Sequence, residues 1–196
     1  MNQLTRITVG SSFLLMLAVF YYFDTGGWII PALTAVFVHE LGHLAALIAA
    51  DCPITRLDAT WAGLSLTYES GRITHVCEAA AVAAGPIANL AAAGLLAATR
   101  YNKWAWTNLL LGCFNLLPVR EMDGGRLLGI ISQSLMSRRA AGAVCAAVDH
   151  TVICMLLTGS IFYITGENRG STIPYIAAWL FFCRFIEKIS KPRYNK

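Results

Sequence analysis

Long apolar runs separated by short polar stretches occupy most of the 196-residue chain. A helix needs about 20 apolar residues to cross the hydrocarbon core of a bilayer, and most of these runs approach that length. They predict an all-α membrane protein with about six transmembrane helices. A further short helix is predicted over Arg126–Leu135. The predicted spans are Ile7–Phe23, Trp28–Ala50, Ile73–Ala98, Trp104–Leu117, 140–164 and Ile173–Ile186.

The stretch between the second and third predicted spans has a different pattern. Leu64, Leu66 and Tyr68 alternate with polar residues, and a glycine precedes them. Alternation with a period of two is typical of a β-strand, and glycine favours a turn. The segment Ile54–Glu69 is therefore predicted to form a small β-hairpin on the cytoplasmic side. Because the sequence has no long soluble insertion and no repeat, residues 1–196 are interpreted as a single polytopic membrane domain.

The composition agrees with a lipid environment. Only 13% of the residues are charged and 57% are hydrophobic, whereas soluble domains carry about 25% charged residues. The net charge of +4 is mild. Binding to nucleic acid would require a basic face on a soluble element, and the sequence shows none. The lipid bilayer is therefore the first partner that the sequence predicts.

The basic residues are distributed unevenly between the two ends of the predicted spans. Twelve of the 15 Lys and Arg residues lie on the side that carries both termini. The other three lie on the opposite side, and they are Arg100, Lys103 and Arg169. Since loops rich in Lys and Arg face the cytoplasm, we expect an integral protein of the cell membrane with both termini in the cytoplasm.

The second predicted span contains the sequence His-Glu-Leu-Gly-His. Two histidines four residues apart, His39 and His43, project from one helix face about 5–6 Å apart, and can share one zinc ion. Glu40 follows the first histidine, which is the position of a general base in this pattern. A charge at mid-bilayer costs about 2.5–3.5 kcal/mol, and a bound cation offsets that cost. The alternative is a buried polar cluster that ties helices together by hydrogen bonds.

A third zinc ligand has to come from elsewhere in the chain. A catalytic zinc takes three protein ligands and keeps one position open, and the best candidate for the third ligand is Asp123. Pro118 ends the preceding apolar run, and Gly124 and Gly125 allow another backbone to approach closely. In the absence of the histidines, the same segment would be interpreted as a turn with solvated charges.

The two motifs together resemble the site-2 protease family, and most of all its compact branch, typified by the stage IV sporulation factor protease. HELGH in one span and NLLPVREMDGGR in a later one match the family pattern of H-E-x-x-H with N-x-x-P-x-x-x-x-D-G. The resemblance implies that His39, His43 and Asp123 hold Zn²⁺ and that Glu40 activates the water. It also implies that Asn115 binds the substrate backbone or the developing oxyanion.

A third motif resembles the same family. Gly85-Pro86-Ile87-Ala88-Asn89 is similar to the family signature G-P-x-x-N, which implies that Asn89 supports the site or positions the substrate. A helix kink with an internal hydrogen bond is an equally good interpretation of these residues. The chain departs from the family at residues 120–122, Arg-Glu-Met, where the family has a second proline and a leucine. This departure leaves the ligand assignment unchanged, but it affects the expected shape of the loop.

The function implied by the resemblance is that of an intramembrane zinc metalloprotease. Such an enzyme hydrolyses peptide bonds within or near the transmembrane segment of a membrane-protein substrate, as in regulated intramembrane proteolysis. Because the sequence shows no PDZ-like or nucleotide-sensing domain, regulation would come from a membrane partner or from the substrate. Two other classes stay open, an inactive scaffold and a metal or ion transporter. The intact Glu40 and the few polar residues in spans one, five and six argue against them.

Overall fold

The computed structural model describes residues 6–9, 18, 21–22, 24–52, 54–60, 63–68 and 74–165. Within these residues the chain forms five helices and three strands. The helices are α1 (Ile29–Ala49), α2 (His75–Ala97), α3 (Asn102–Asn115), α4 (Asp123–Leu135) and α5 (Arg138–Thr165). The strands are β1 (Arg6–Val9), β2 (Ile54–Thr60) and β3 (Gly63–Tyr68).

Three of the helices in the described part are long and apolar enough to cross a membrane. They are α1, α2 and the Arg138–Gly159 part of α5, with mean hydropathy between 1.6 and 1.8. These helices correspond to the second, third and fifth predicted spans. The protein is therefore a helical membrane protein, as its composition and apolar runs predict.

The other predicted spans have different outcomes. The fourth corresponds to α3, whose 14 residues give a length of about 21 Å, less than the roughly 30 Å of a bilayer core. The sixth, Ile173–Ile186, lies outside the described residues. The predicted short helix is present as α4, although it begins three residues earlier than predicted, at Asp123. The total of six transmembrane helices therefore stays a prediction.

The first predicted span is wrong at its beginning. Arg6–Val9 is a strand, and it pairs in parallel with β2, so that Arg6 lies opposite Arg56. Three consecutive β-branched residues at positions 7–9 favour a strand over a helix. Pairing with β2 also gives their backbone groups hydrogen-bond partners outside a helix.

The three strands form one sheet with the order β1-β2-β3. Strands β2 and β3 are antiparallel, with Ile54 opposite Tyr68 and Thr60 opposite Gly63, and the register shifts between Ile54 and Arg56. These strands occupy the segment predicted to be a hairpin. Residues 61–62 lie outside the described part, so the turn of the hairpin stays a prediction.

Helix α2 packs against α1, α3 and α4 and is the centre of the described bundle. The contact between α1 and α2 depends on small residues. A Cβ atom at Gly42 would lie 2.6 Å from the Ala84 carbonyl oxygen and 2.9 Å from the Ala88 Cβ. Helices in lipid associate through such close backbone contacts because they gain little from apolar burial. This contact brings the middle of α1 against the middle of α2.

The beginning of α1 is held by Asp24, whose carboxylate accepts hydrogen bonds from the backbone N–H groups of Trp28 and Ile29 at 2.8 and 2.9 Å. The hydrogen bond from Ile29 contributes most to stabilising the ionised carboxylate, and the bond from Trp28 contributes next. They hold the pKa of Asp24 below its usual value. Near the same point, Lys103 Nζ of α3 donates to the Gly26 carbonyl oxygen at 2.5 Å. The starts of α1 and α3 are thereby linked.

The segment between α3 and α4, residues 116–122, is packed tightly against the beginning of α4. A Cβ atom at Gly125 would overlap the carbonyl oxygen of Val119, and Val119 itself is fully buried. The buried carboxylate of Asp149, on α5, accepts a hydrogen bond from the backbone N–H of Arg120 at 3.2 Å. The packing and this hydrogen bond determine where α4, and therefore Asp123, begins.

Candidate metal centre

Three side chains that are distant in the sequence meet where α1 contacts the first residue of α4. Asp123 Oδ2 lies 3.0 Å from His39 Nε2 and 3.2 Å from His43 Nε2. The two Nε2 atoms lie 3.1 Å apart. Among the residues that the structure describes, these three form the one group of His, Cys, Asp or Glu with the spacing of a metal site. The structure thus brings together the residues that the sequence predicts as ligands.

The two histidines reach the same point because they are one helical turn apart on α1. Their rings pack edge to face, with centroids 4.6 Å apart and an interplanar angle of 86°. His39 is 6% exposed and Asp123 is 8% exposed. His39 is the eleventh of the 21 residues of α1, about 15 Å from either end of the helix. The cluster therefore lies at the middle of a helix long enough to span a membrane.

The far side of each imidazole ring is fixed by an acceptor. His39 Nδ1 donates to Asn89 Oδ1 at 2.6 Å, and His43 Nδ1 donates to the backbone carbonyl oxygen of Ala81 at 2.8 Å. A carbonyl oxygen can only accept, so each neutral ring carries its proton on Nδ1. The lone pairs of both Nε2 atoms then point into the cluster, toward the Asp123 carboxylate. This tautomer assignment follows from the hydrogen-bond network.

This donor set fits a zinc ion. Two nitrogen lone pairs and a carboxylate oxygen at 3.0–3.2 Å from one another repel each other unless a metal ion or a shared proton lies among them. Two imidazoles and a carboxylate are a common ligand set for catalytic zinc, and zinc bonds of about 2.0–2.1 Å in a tetrahedron separate ligands by about 3.3–3.4 Å. A hydrogen-bond acceptor on Nδ1, on the side of the ring away from the metal, is also typical of metal-binding histidines. The arrangement therefore accommodates the metal without a large movement of the three residues.

Asn89 is fully buried on α2, and both the oxygen and the nitrogen of its side-chain amide form hydrogen bonds. Its oxygen accepts from His39, while its Nδ2 donates to the Ala35 carbonyl oxygen at 2.8 Å and to Asn108 Oδ1 at 2.9 Å. Of the two roles that the family resemblance implies for Asn89, the contacts are those of support for a ligand. A fully buried amide offers no surface to a substrate.

Glu40 and Asn115 are placed differently from the three ligands. Glu40 is half-buried, and its carboxylate lies within electrostatic range of the His43, His39 and Asp123 side chains. Asn115 is the last residue of α3, and its Nδ2 donates to the Leu111 carbonyl oxygen of the same helix at 3.1 Å. The structure thus places Glu40 beside the cluster, whereas the amide nitrogen of Asn115 is bound within its own helix.

Two contributors to the site carry little or no signal in the sequence. The Ala81 acceptor is a backbone oxygen, so no side chain marks it. Gly85 belongs to a recognisable motif, but its role appears only in three dimensions. A Cβ atom at this position would overlap Nε2 of His43 and lie 2.6 Å from Cε1 of the same ring. Glycine is needed here because the imidazole lies directly against the α2 backbone.

We expect Gly85→Ala to weaken metal binding by about ten- to hundredfold. The added methyl group displaces the His43 ring, and overpacking of this kind costs about 1–3 kcal/mol. Gly94→Ala is the matched control, because it lies on the same helix and an added Cβ there would meet no atom within 4 Å. Titration of the purified proteins with zinc against a competing chelator measures the difference. Equal affinities for both variants would contradict the packing described for His43.

The comparisons with known proteins all give matches to peptidases. The family model described as Peptidase family M50 matches residues 99–159. Rip3 of Mycobacterium tuberculosis, a protein named for a zinc metalloprotease activity, is 28% identical over 188 residues in two strains. This alignment covers 84% of the present chain and 46% of Rip3. The chain therefore spans about half the length of the curated relatives that it matches.

A solved structure supports the fold independently. The site-2 protease from Methanocaldococcus jannaschii superposes with a TM-score of 0.68, although its sequence is only 20% identical. The superposition covers 97% of this chain and 93% of that protein. At this level of identity the likeness concerns the fold alone.

Proposed function

Because a model of Peptidase family M50 matches residues 99–159 and the fold resembles that of a solved site-2 protease, we propose that the chain is an intramembrane zinc metalloprotease of the site-2 protease family. It hydrolyses peptide bonds within or near the transmembrane segment of a membrane-protein substrate. One observation carries the proposal: two imidazole nitrogens and one carboxylate oxygen converge within 3.2 Å, midway along a helix that can span a membrane. A carboxylate suited to act as a base, Glu40, lies beside them.

His39, His43 and Asp123 would hold the zinc ion in this proposal. When bound at such a site, zinc polarises the scissile carbonyl group and makes water a nucleophile near neutral pH. The three residues would fix the position of the ion. Asn89 and the Ala81 carbonyl keep the two rings oriented through their Nδ1 protons.

Glu40 is the proposed general base and general acid. Its carboxylate accepts a proton from the attacking water as the water oxygen bonds to the carbonyl carbon. It then gives that proton to the amide nitrogen as the carbon–nitrogen bond breaks, so the leaving segment departs as an amine. We propose that Asn115 binds the substrate backbone or the developing oxyanion. Asn89 takes no direct part in these steps and instead positions His39.

The substrate has to be unwound before it can be cut. A helix in the bilayer hides its carbonyl groups in its own hydrogen bonds, so substrates should be single-span proteins with Gly, Pro or Asn near the cleavage site. Strand β3 lies at one edge of the sheet. An extended substrate segment can add to such an edge through backbone hydrogen bonds, and this is the role that we propose for β3.

The location and orientation of the protein are also proposals. Twelve of the 15 basic residues lie on one side of the predicted spans, which favours the cell membrane with both termini in the cytoplasm. Cleavage products would then leave toward the cytoplasm. We also propose that a membrane partner controls the access of the substrate.

The proposed activity can be tested before any substrate has been identified. Peptides from the membranes of cells that produce the native protein are compared quantitatively with those from cells that produce Glu40→Gln. We expect at least one single-span protein to accumulate at full length in the variant, together with loss of its shortened cytoplasmic form. Glu121→Gln, an equal change at an exposed position nearby, serves as the control. If all three cell lines give the same peptides, the proteolytic function is rejected.

A further inference from the structure

A buried chain of hydrogen bonds connects the backbone of α3 to a metal-binding histidine on α1. Asn108 Nδ2 donates to the Trp104 carbonyl oxygen at 2.8 Å. Asn108 Oδ1 accepts from Asn89 Nδ2 at 2.9 Å, and Asn89 Oδ1 accepts from His39 Nδ1 at 2.6 Å. The hydrogen bonds thus link three helices and end at a member of the cluster.

Both amides in this chain are inaccessible. Asn108 is 2% exposed and Asn89 is 0% exposed. Two amides at this depth of a membrane helix bundle are costly unless every polar atom is paired. In such surroundings the hydrogen bonds are also stronger than in water, because the local dielectric constant is low. The chain is therefore a rigid connection and not a solvated contact.

The direction of each amide in the chain is determined by the carbonyl group at its far end. The Trp104 oxygen can only accept, so the Asn108 amide presents its nitrogen to Trp104 and its oxygen to Asn89. Asn89 then has to present its nitrogen to Asn108 and its oxygen to His39. If Asn108 were reversed, two N–H groups would face each other. The orientation of Asn108 is thus transmitted to the proton on His39 Nδ1.

Asn108 is one of two groups that orient the Asn89 amide. The Ala35 carbonyl oxygen accepts from the same Asn89 nitrogen at 2.8 Å. Loss of Asn108 would leave Asn89 with one anchor in place of two. The effect on His39 should accordingly be smaller than the effect of losing Asn89 itself.

We propose that Asn108 is a positioning residue that, through Asn89, fixes the tautomer and orientation of His39 for metal binding. This inference rests on the proposed metal site but not on proteolysis. Helix α3 supplies none of the three cluster ligands, yet it determines how one of them faces the ion. Outer-shell partners of metal-binding histidines typically contribute 10- to 100-fold in affinity. Because of the second anchor, we expect Asn108 to contribute about tenfold.

The test uses the full-length protein with Co²⁺ as the probe, since the visible spectrum of this ion reports the geometry of its ligands. Asn108→Leu has a similar volume but no acceptor for Asn89. Asn108→Asp keeps an acceptor, and as a neutral acid in an apolar interior it can still donate to Trp104. Thr107→Val is the control for removing a polar group from the neighbouring position of the same helix.

We expect Asn108→Leu to bind Co²⁺ about tenfold more weakly than the native protein and to show an altered visible spectrum. Asn108→Asp and Thr107→Val should both stay within about threefold of the native affinity and keep its spectrum. If Asn108→Leu does not accumulate, Asn108→Ser is measured instead, because its hydroxyl is too short to reach Asn89.

Three results would overturn the proposal. The first is native affinity and spectrum in the leucine or serine variant. The second is an equal loss in Asn108→Asp, and the third is an equal loss in Thr107→Val, since either would indicate general helix packing. None of these measurements involves peptide cleavage. A protein that binds Co²⁺ as described but cuts no substrate would contradict the proposed function and leave this inference standing.

Discussion

Replacing Glu40 with glutamine is expected to abolish peptide-bond hydrolysis while the protein keeps its fold and its zinc. Glutamine has nearly the same shape as glutamate, but its amide cannot accept a proton from water. Removing a general acid–base group typically costs about 10²- to 10⁴-fold in rate. Since Glu40 also gives the proton to the leaving amine in the proposed reaction, the loss should fall toward the upper end of that range.

Purified native and Glu40→Gln proteins in lipid vesicles, with a substrate identified in cells, provide the measurement for Glu40. Rate and zinc content are determined on the same samples, and Glu121→Gln is the matched control at an exposed site in the segment before α4. A rate within tenfold of the native value would remove Glu40 from the mechanism. A loss of zinc together with activity would instead make Glu40 a contributor to the metal site.

The second large effect is expected at Asp123. Asp123→Ala removes the carboxylate that lies 3.0 Å from His39 and 3.2 Å from His43, so two neutral imidazoles would be left to hold the ion. Outer-shell changes alone cost 10- to 100-fold in metal affinity, and losing a direct ligand should cost at least about 100-fold. Activity should fall with zinc occupancy.

Elemental analysis of purified protein, followed by titration against a chelator, measures the consequence of Asp123→Ala. Glu121→Ala is the control, because it removes a carboxylate two residues away that does not belong to the cluster. Zinc content in Asp123→Ala equal to that of both the native protein and this control would reject Asp123 as a ligand. Such a result would also leave the convergence of α1 and α4 without a function.

The helices that carry the site were predictable from local sequence. Apolar runs of more than twenty residues define α1 and α2 closely, because lipid selects for length and composition over each span. The two histidines were predictable as a pair because a helix puts residues four apart on one face. Asp123 was a candidate through its motif, although it lies 80 positions after His43 in the chain. Sequence spacing alone does not bring them together.

Other features depend on contacts between distant segments and have no local pattern. Strand β1 was predicted as the beginning of a span, because its apolar residues suit either structure until a neighbouring strand is present. The Ala81 carbonyl that holds His43 is a backbone group, and Asn108 is one of three polar residues in an apolar run. The Ala81 carbonyl and Asn108 act in the site because they are buried and hydrogen-bonded. Their burial and their partners are determined only when the helices pack together.

The metal centre itself is tested most directly by X-ray absorption at the zinc edge, recorded on purified protein. We expect one zinc per chain, bound by nitrogen and oxygen with no sulfur, with scattering from two imidazole rings. His39→Ala and Asp123→Ala should each abolish that spectrum. Bound zinc with a sulfur ligand, or a spectrum unchanged in both variants, would contradict a site built from His39, His43 and Asp123.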